Sequence, residues 1–224
     1  MRLWCFFIFF SYISIAEATD IQGTTMGSPY QIKWHNGPAQ LSANELSRKI
    51  DARLQQLNLI FSHYQPRSEL SNFNDSRTGG PVSAELLQVI KRASVLHQET
   101  SGALDITVSP LVSLWGFGPN GTINTPPSTD AIALAKAKTG MNKLVLGDGR
   151  LDKQHPDLTI TLGAIAKGYA VDQLAELLEE NAVNDFLINI GGEIRLKGKS
   201  PQGEPWRVGI ELPGSYGVVD QIIS

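Results

Sequence analysis

The chain has 224 residues, of which 42% are hydrophobic and 18% are charged. Its 19 lysine and arginine residues stand against 22 aspartate and glutamate residues, which gives a formal net charge of −3. This balance argues against nucleic acid as a partner, because such proteins present a broad basic surface. The ordinary apolar content excludes a disordered or collagen-like chain, and the length suits one or two globular domains.

Residues 1–18 have the composition of an export signal. Arg2 precedes an almost uninterrupted apolar run at 3–15, and the small-x-small sequence at 16–18 is typical of a cleavage site. The run is shorter than the about 20 residues of a transmembrane helix, which favours a cleaved signal peptide and a periplasmic protein. An uncleaved anchor at the inner membrane is the alternative. The only cysteine, Cys5, lies here, so the mature chain is predicted to contain no disulfide or zinc–thiolate site.

The mature chain alternates patterns typical of helices and strands. Ser42 and Glu45 form a capping box before apolar residues spaced three and four apart, which predicts a helix reaching Phe61. By the same signals, further helices are predicted over 83–102, 128–140 and 164–180. Strands are predicted over 27–34, 143–146, 158–162, 185–190, 193–197 and 206–212, with hairpin turns at 147–149 and 191–192. This order predicts an α+β domain with a largely antiparallel mixed sheet and packed helices.

The end of the sequence, 218–223, is a strand-like apolar run with no turn or cap after it. A domain rarely ends within such a strand, because its edge would expose unpaired backbone groups. The expectation from this pattern is that the chain is unfinished.

Common catalytic signatures are absent from the sequence. It contains no G-x-S-x-G elbow, no phosphate-binding P-loop and no G-x-G-x-x-G, and its four histidines lack metal-ligand spacing, which favours structural or surface roles for them. Residues 163–168 (GAIAKG) lead from a predicted strand into a predicted helix. Free first-turn amides and Lys167 could hold phosphate groups there. A plain connection that uses Gly163 for the turn is an equally good interpretation.

Two stretches with mixed aromatic and polar residues are candidate ligand-binding loops. They are YQPRSELSNFN at 64–74 and SGALDITVSPLVSLWGFG at 101–118. Taken singly, Tyr64 is more typical of a core tyrosine, and Asp105 is more typical of a turn or cap residue.

Six segments of the mature chain together carry a family resemblance. They are TTMGSPY at 24–30, SHYQPRSELSNFN at 62–74, GALDITVSPLVSLWGFGP at 102–119, LGAIAKGYAVDQLA at 162–175, INIGGEIRLKG at 188–198 and PWRVGIE at 205–211. In this order they resemble the FAD:protein FMN transferases of the ApbE family. The resemblance implies an ApbE-like, T-fold-related architecture and an exported, Mg²⁺-dependent enzyme. Such an enzyme transfers FMN from FAD to a threonine or serine of an acceptor flavoprotein, a redox subunit at the membrane or in the periplasm, and releases AMP.

The resemblance also implies roles for single residues. Met26 and Tyr64 match flavin-binding positions, and Ala164 matches a position that lends its backbone carbonyl to the metal. Taken together, the implied FAD-binding positions are Met26, Tyr64, Ala103, Leu104, Asp105, Thr161 and Lys167. The family usually has an aspartate in place of Thr161, and loss of one charged partner predicts FAD binding weaker by about 1–3 kcal/mol.

On the same resemblance, residues 19–224 form the N-terminal part of the transferase domain. The family's C-terminal segment, which completes the metal site, has no counterpart before Ser224. A truncated and inactive copy of the transferase is therefore one expectation. The alternatives are a FAD pyrophosphatase and a non-catalytic periplasmic FAD-binding protein.

Overall fold

A computed structural model of the protein describes residues 18–38, 40–117, 121, 125–215 and 217–224. Residues 1–17 of the predicted signal peptide lie outside the described residues, and so do residues 118 and 119 of the family motif. Within the described ranges, no helix combines the length and the apolar composition needed to cross a membrane.

The described chain contains nine strands and six α-helices. The strands are β1 (Thr19–Thr25), β2 (Ser28–His35), β3 (Gly79–Pro81), β4 (Leu144–Leu146), β5 (Arg150–Lys153), β6 (Asp185–Ile190), β7 (Glu193–Lys197), β8 (Val208–Glu211) and β9 (Val219–Ile223). The helices are α1 (Ala43–Phe61), α2 (Glu69–Asp75), α3 (Ala84–Glu99), α4 (Ser109–Leu114), α5 (Thr129–Ala137) and α6 (Ala166–Glu180). Short 3-10 helices cover Ile106–Val108 and Met141–Lys143.

The strands form three antiparallel sheets. The main sheet has the order β1-β2-β6-β7, a second has the order β3-β5-β4, and β8 pairs with β9. Burial alternates along β6, where Phe186, Ile188 and Ile190 are fully buried. These side chains belong to one core with the apolar stripes of α1, α3 and α6. The prediction of an α+β domain with a largely antiparallel sheet is confirmed.

Serine caps begin most of the helices that were predicted. Ser42 Oγ accepts a hydrogen bond from the Glu45 amide at 3.1 Å, and Ser83 and Ser128 cap α3 and α5 in the same way. A serine oxygen satisfies one of the amides that the first turn leaves free. After α3, Gly102 adopts φ +87° and donates its amide to His97 O at 2.8 Å, which closes the helix end as predicted, although the last helical residue, Glu99, lies three residues before the glycine.

The prediction of a strand at 158–162 is wrong. Leu158, Ile160 and Leu162 are fully buried in alternation, as in a strand, but no neighbouring strand pairs with them among the described residues. The Asn74 side chain takes the place of a strand. It donates to Ile160 O at 2.9 Å and accepts from the Ile160 amide at 2.8 Å.

The two predicted loops are partly helical. Residues 69–75 form α2, whose N-cap Ser68 accepts from the Ser71 amide at 3.0 Å. Within 101–118, residues 109–114 form α4, with a proline in its first turn. Both helices are short, seven and six residues, and so carry little helical periodicity in sequence. Strand β1 was not predicted, because Thr19–Thr25 has only one large apolar residue.

Candidate functional site

A cavity of about 470 Å³ lies where the β1–β2 turn, the end of α1 and the beginning of α6 meet. This volume falls within the usual range of small-molecule sites. The lining residues that matter for its chemistry are Met26, Phe61, His63, Tyr64, Gly163 and Lys167. Three residues that the resemblance links to FAD, Met26, Tyr64 and Lys167, therefore share one cavity.

Met26 reaches the cavity from a tight hairpin turn. Thr25 pairs with Ser28, so Met26 and Gly27 form a two-residue turn, with φ of +50° and +73°. Turns of this kind require positive φ at both central residues, which costs a non-glycine residue about 1 kcal/mol. The turn thus holds a polarisable thioether at the cavity wall, although glycine would fit the backbone better.

Aromatic rings form a second wall. The ring centroids of His63 and Tyr64 are 4.0 Å apart with an interplanar angle of 37°, and Tyr64 is 56% exposed. The Tyr64 hydroxyl donates to Phe117 O at 3.3 Å, and the Phe117 side chain is also exposed. Burial lowers the pKa of His63, so its ring is neutral near pH 7. The wall therefore offers aromatic faces, and no charge from His63, to a planar ligand.

Lys167 provides the cation of the cavity. It lies in the first turn of α6, where the helix dipole adds partial positive charge. No side chain caps this helix start. Lys167 Nζ is 2.9 Å from Glu193 Oε2 and donates to Gly191 O at 3.4 Å. Glu193 Oε2 is buried, and apart from this ion pair it has no hydrogen-bond partner within the described residues. An anion in the cavity would compete with this carboxylate for Lys167.

The other predicted FAD positions do not line this cavity. Asp105 Oδ1 accepts from the amide and the hydroxyl of Thr107, at 2.7 and 2.5 Å, so Asp105 acts as a cap. Leu104 O accepts from His97 Nδ1 at 2.7 Å, and Ala103 lies exposed in the same turn. The Thr161 amide donates to Ile106 O at 2.8 Å. This bond fastens the turn to the segment that enters the cavity at Leu162.

The predicted metal position, Ala164, does not line this cavity. Ala164 is exposed in the turn before α6 and lines a groove of about 620 Å³ between α3 and α6. Mg²⁺ prefers six oxygen ligands, normally including a carboxylate. Across the described ranges, no group of three or more His, Cys, Asp or Glu side chains could hold a metal ion. The described residues alone do not fit a magnesium site.

Sequence reasoning missed two lining residues. His63 was assigned a structural or surface role, yet it is half-buried at the cavity and packs on Tyr64. Its position next to a predicted flavin-binding residue was a usable signal. Phe61 was expected only as the last apolar residue of the α1 stripe. Phe61 is both a core residue of α1 and a lining residue of the cavity, because the apolar stripe of α1 ends at the cavity.

Comparison with known proteins gives consistent matches. The model described as the ApbE family matches residues 26–224. The FAD:protein FMN transferase of Vibrio cholerae is 40% identical over 200 residues, which is 88% of this chain and 60% of the relative. The protein of the same name from Haemophilus influenzae is 38% identical, over 90% of this chain and 60% of the relative. The chain thus spans about 60% of the length of these curated relatives.

Solved structures agree with these matches. The flavin transferase ApbE from Vibrio cholerae has a TM-score of 0.84 at 40% identity, covering 88% of this chain and 65% of the solved chain. The apo flavinyl transferase ApbE from Pseudomonas stutzeri has a TM-score of 0.82 at 32% identity, covering 93% and 66%.

Proposed function

The chain belongs to the ApbE family, and we propose that it provides the flavin-binding part of an enzyme that transfers FMN from FAD to a protein. The acceptor is a threonine or serine hydroxyl of a flavoprotein, and the reaction releases AMP. The observation that carries the proposal is the cavity shared by Met26, Tyr64 and Lys167. The 40% identical Vibrio cholerae relative, named FAD:protein FMN transferase, supports the choice of substrates.

The aromatic and apolar half of the cavity is suited to the isoalloxazine ring. Phe61, almost fully buried, lines this half, and so do the rings of the exposed Tyr64 and the half-buried His63. Offset stacking on such faces contributes about 0.5–1.5 kcal/mol beyond the burial of apolar area. The thioether of Met26 adds a polarisable contact with an aromatic ligand.

The polar half is suited to phosphate. Lys167 and the first turn of α6, which has no side-chain cap, present positive charge to an anion. In the proposed reaction, the acceptor hydroxyl oxygen bonds to the phosphorus on the FMN side of the pyrophosphate. The bond from that phosphorus to the bridging oxygen breaks, AMP leaves with the bridging oxygen, and the hydroxyl proton is released. Lys167 stabilises the negative charge on the phosphoryl oxygens during this step.

The proposal includes Mg²⁺ as the cofactor that the family resemblance implies. The backbone carbonyl of Ala164, an exposed residue, is one oxygen ligand, which does not suffice for an octahedral ion. The chemistry attributed here to the chain is therefore that of its own side chains and amides. Residues 1–18 have the sequence of an export signal, so we propose a periplasmic location.

The test uses the full-length gene product with FAD, Mg²⁺ and candidate redox subunits. In-gel flavin fluorescence of a subunit, with one AMP released per flavin attached, supports the transferase. AMP release without an acceptor identifies a FAD pyrophosphatase instead. Flavin binding without any turnover identifies a binding protein. Absence of FAD binding refutes all three.

A further inference from the structure

A part-buried polar cluster joins three helices behind the cavity. Arg53 on α1 forms a bidentate ion pair with Glu85 on α3, with one N–O distance of 3.2 Å and a second, shorter contact. The Tyr169 hydroxyl on α6 donates to Glu85 Oε1 at 3.0 Å. Arg53 also donates to Gln173 Oε1, one turn further along α6. The side chains of Arg53 and Glu85 are only 22% and 21% exposed, so solvent screens this cluster less than a surface pair.

Tyr169 connects the cluster to the cavity. Its ring meets Phe61 edge to face, with centroids 5.4 Å apart and an interplanar angle of 84°. Phe61 lines the cavity, and so does Lys167, two residues before Tyr169 on the first turn of α6. The phenol is thus fixed at its ring by the apolar wall and at its hydroxyl by the charge pair.

We infer that Tyr169, held by Glu85 and Arg53, is a positioning residue that fixes Lys167 relative to the Phe61 wall. This inference rests on the proposed flavin site. A flavin that carries phosphate must touch both places at once, with its ring near Phe61 and its phosphate near Lys167. A shift of α6 relative to α1 changes the separation of these two contacts without removing either.

The hydrogen bond is well suited to this role. Burial and the neighbouring Glu85 raise the pKa of Tyr169 to about 12, so the hydroxyl remains a donor throughout the physiological range. Glu85 Oε1 receives both this hydroxyl and Arg53, which defines the direction of the phenol. Removal of the hydroxyl leaves a part-buried carboxylate short of one partner and removes one of the two hydrogen bonds that tie α6 to the cluster, the other being that from Arg53 to Gln173.

The test compares riboflavin, FMN and FAD binding to Tyr169→Phe, which keeps the ring on Phe61 and loses only the hydroxyl. We expect FMN and FAD to bind about tenfold more weakly, while the Kd of riboflavin, which has no phosphate, changes less than twofold. Glu85→Gln, which retains an acceptor oxygen, is expected to give the same pattern with a smaller loss.

Tyr30→Phe is the matched control. The Tyr30 hydroxyl also donates to a carboxylate, Asp51 Oδ1 at 3.1 Å, but Tyr30 does not line the cavity. It should leave all three flavins unchanged. Equal weakening of riboflavin, FMN and FAD in Tyr169→Phe, or no weakening at all, overturns the inference, and thermal melts identify a variant that is simply unfolded. Failure of the wild-type chain to bind any flavin would instead refute the proposed function.

Discussion

The ion pair between Lys167 and Glu193 makes a two-sided prediction about phosphate binding. Lys167 Nζ lies 2.9 Å from Glu193 Oε2, and the two side chains are 24% and 39% exposed. Lys167→Met removes the cation but keeps most of the apolar stem. Glu193→Gln keeps the shape of the partner but removes the negative charge that competes with a phosphate. The two variants should therefore change flavin-phosphate affinity in opposite directions.

The expected magnitudes follow from the partial exposure of the pair. A charged hydrogen bond contributes about 1.5–3 kcal/mol when fully buried, and solvent reduces this to about 1–2 kcal/mol here. Lys167→Met should then weaken FMN and FAD about 5- to 30-fold. A part-exposed ion pair is worth about 0.2–1 kcal/mol, so its loss in Glu193→Gln should tighten FMN about 1.5- to 5-fold.

The assay is titration of flavin fluorescence with the chain, using riboflavin as the ligand without phosphate. Lys136→Met, an exposed lysine on α5, is the control for a general loss of positive charge. Riboflavin affinity should stay constant in every variant. If Lys167→Met weakens riboflavin as much as FMN, or if Glu193→Gln weakens FMN, then Lys167 does not face the phosphate.

Three other predictions concern the framework of the cavity. Asn74→Ala removes two hydrogen bonds to the buried Ile160 backbone. Urea unfolding should therefore give a free energy of unfolding lower by about 2–4 kcal/mol, and a loss below about 1 kcal/mol would contradict the role of Asn74. Met26→Gly relieves positive-φ strain but removes a side chain from the cavity. The free energy of unfolding should therefore change by less than about 1 kcal/mol, while the affinity for FAD falls. An unchanged affinity for FAD would show that Met26 is not part of the site. Burial lowers the pKa of His63, so the unfolded chain binds a proton first and folded stability decreases as the pH falls below 6.5. Unfolding midpoints at pH 7.5 and 5 should therefore differ less for His63→Phe than for the wild type, and equal differences would exclude His63 as the cause.

Local signals predicted the elements that local interactions define. The serine caps of α1, α3 and α5 satisfy amides three residues away, and the glycine turns at 147–149 and 191–192 close hairpins between neighbouring strands. The wrong prediction of a strand at 158–162 arises because the partner of this segment is distant in sequence. Its alternating burial is real, but its backbone pairs with the side chain of Asn74, 86 residues away. No pattern within the segment distinguishes that partner from a strand.

The candidate site divides in the same way. Residues 163–168 allowed two equally good interpretations, a phosphate site at Lys167 and a plain connection, and the phosphate site followed from the free amides that a helix start leaves. The convergence of Met26 and Tyr64 with it depends on contacts between the β1–β2 turn, α1 and α6, and only the family resemblance pointed to it. The family resemblance also assigns Asp105 to FAD, and that assignment stays a prediction. The Asp105 carboxylate caps Thr107 outside the cavity lining, as its residue type alone favoured.

The most direct test of the central claim is a fluorescence titration of FAD with the wild-type chain, repeated with Tyr64→Ala. The account predicts saturable quenching by the wild type, because the isoalloxazine ring enters an aromatic cavity. In the variant, the affinity for FAD obtained from the quenching curve should be at least tenfold lower. Saturable quenching that is identical in both proteins would mean that FAD binds elsewhere. No quenching at all would contradict the assignment of this cavity to a flavin.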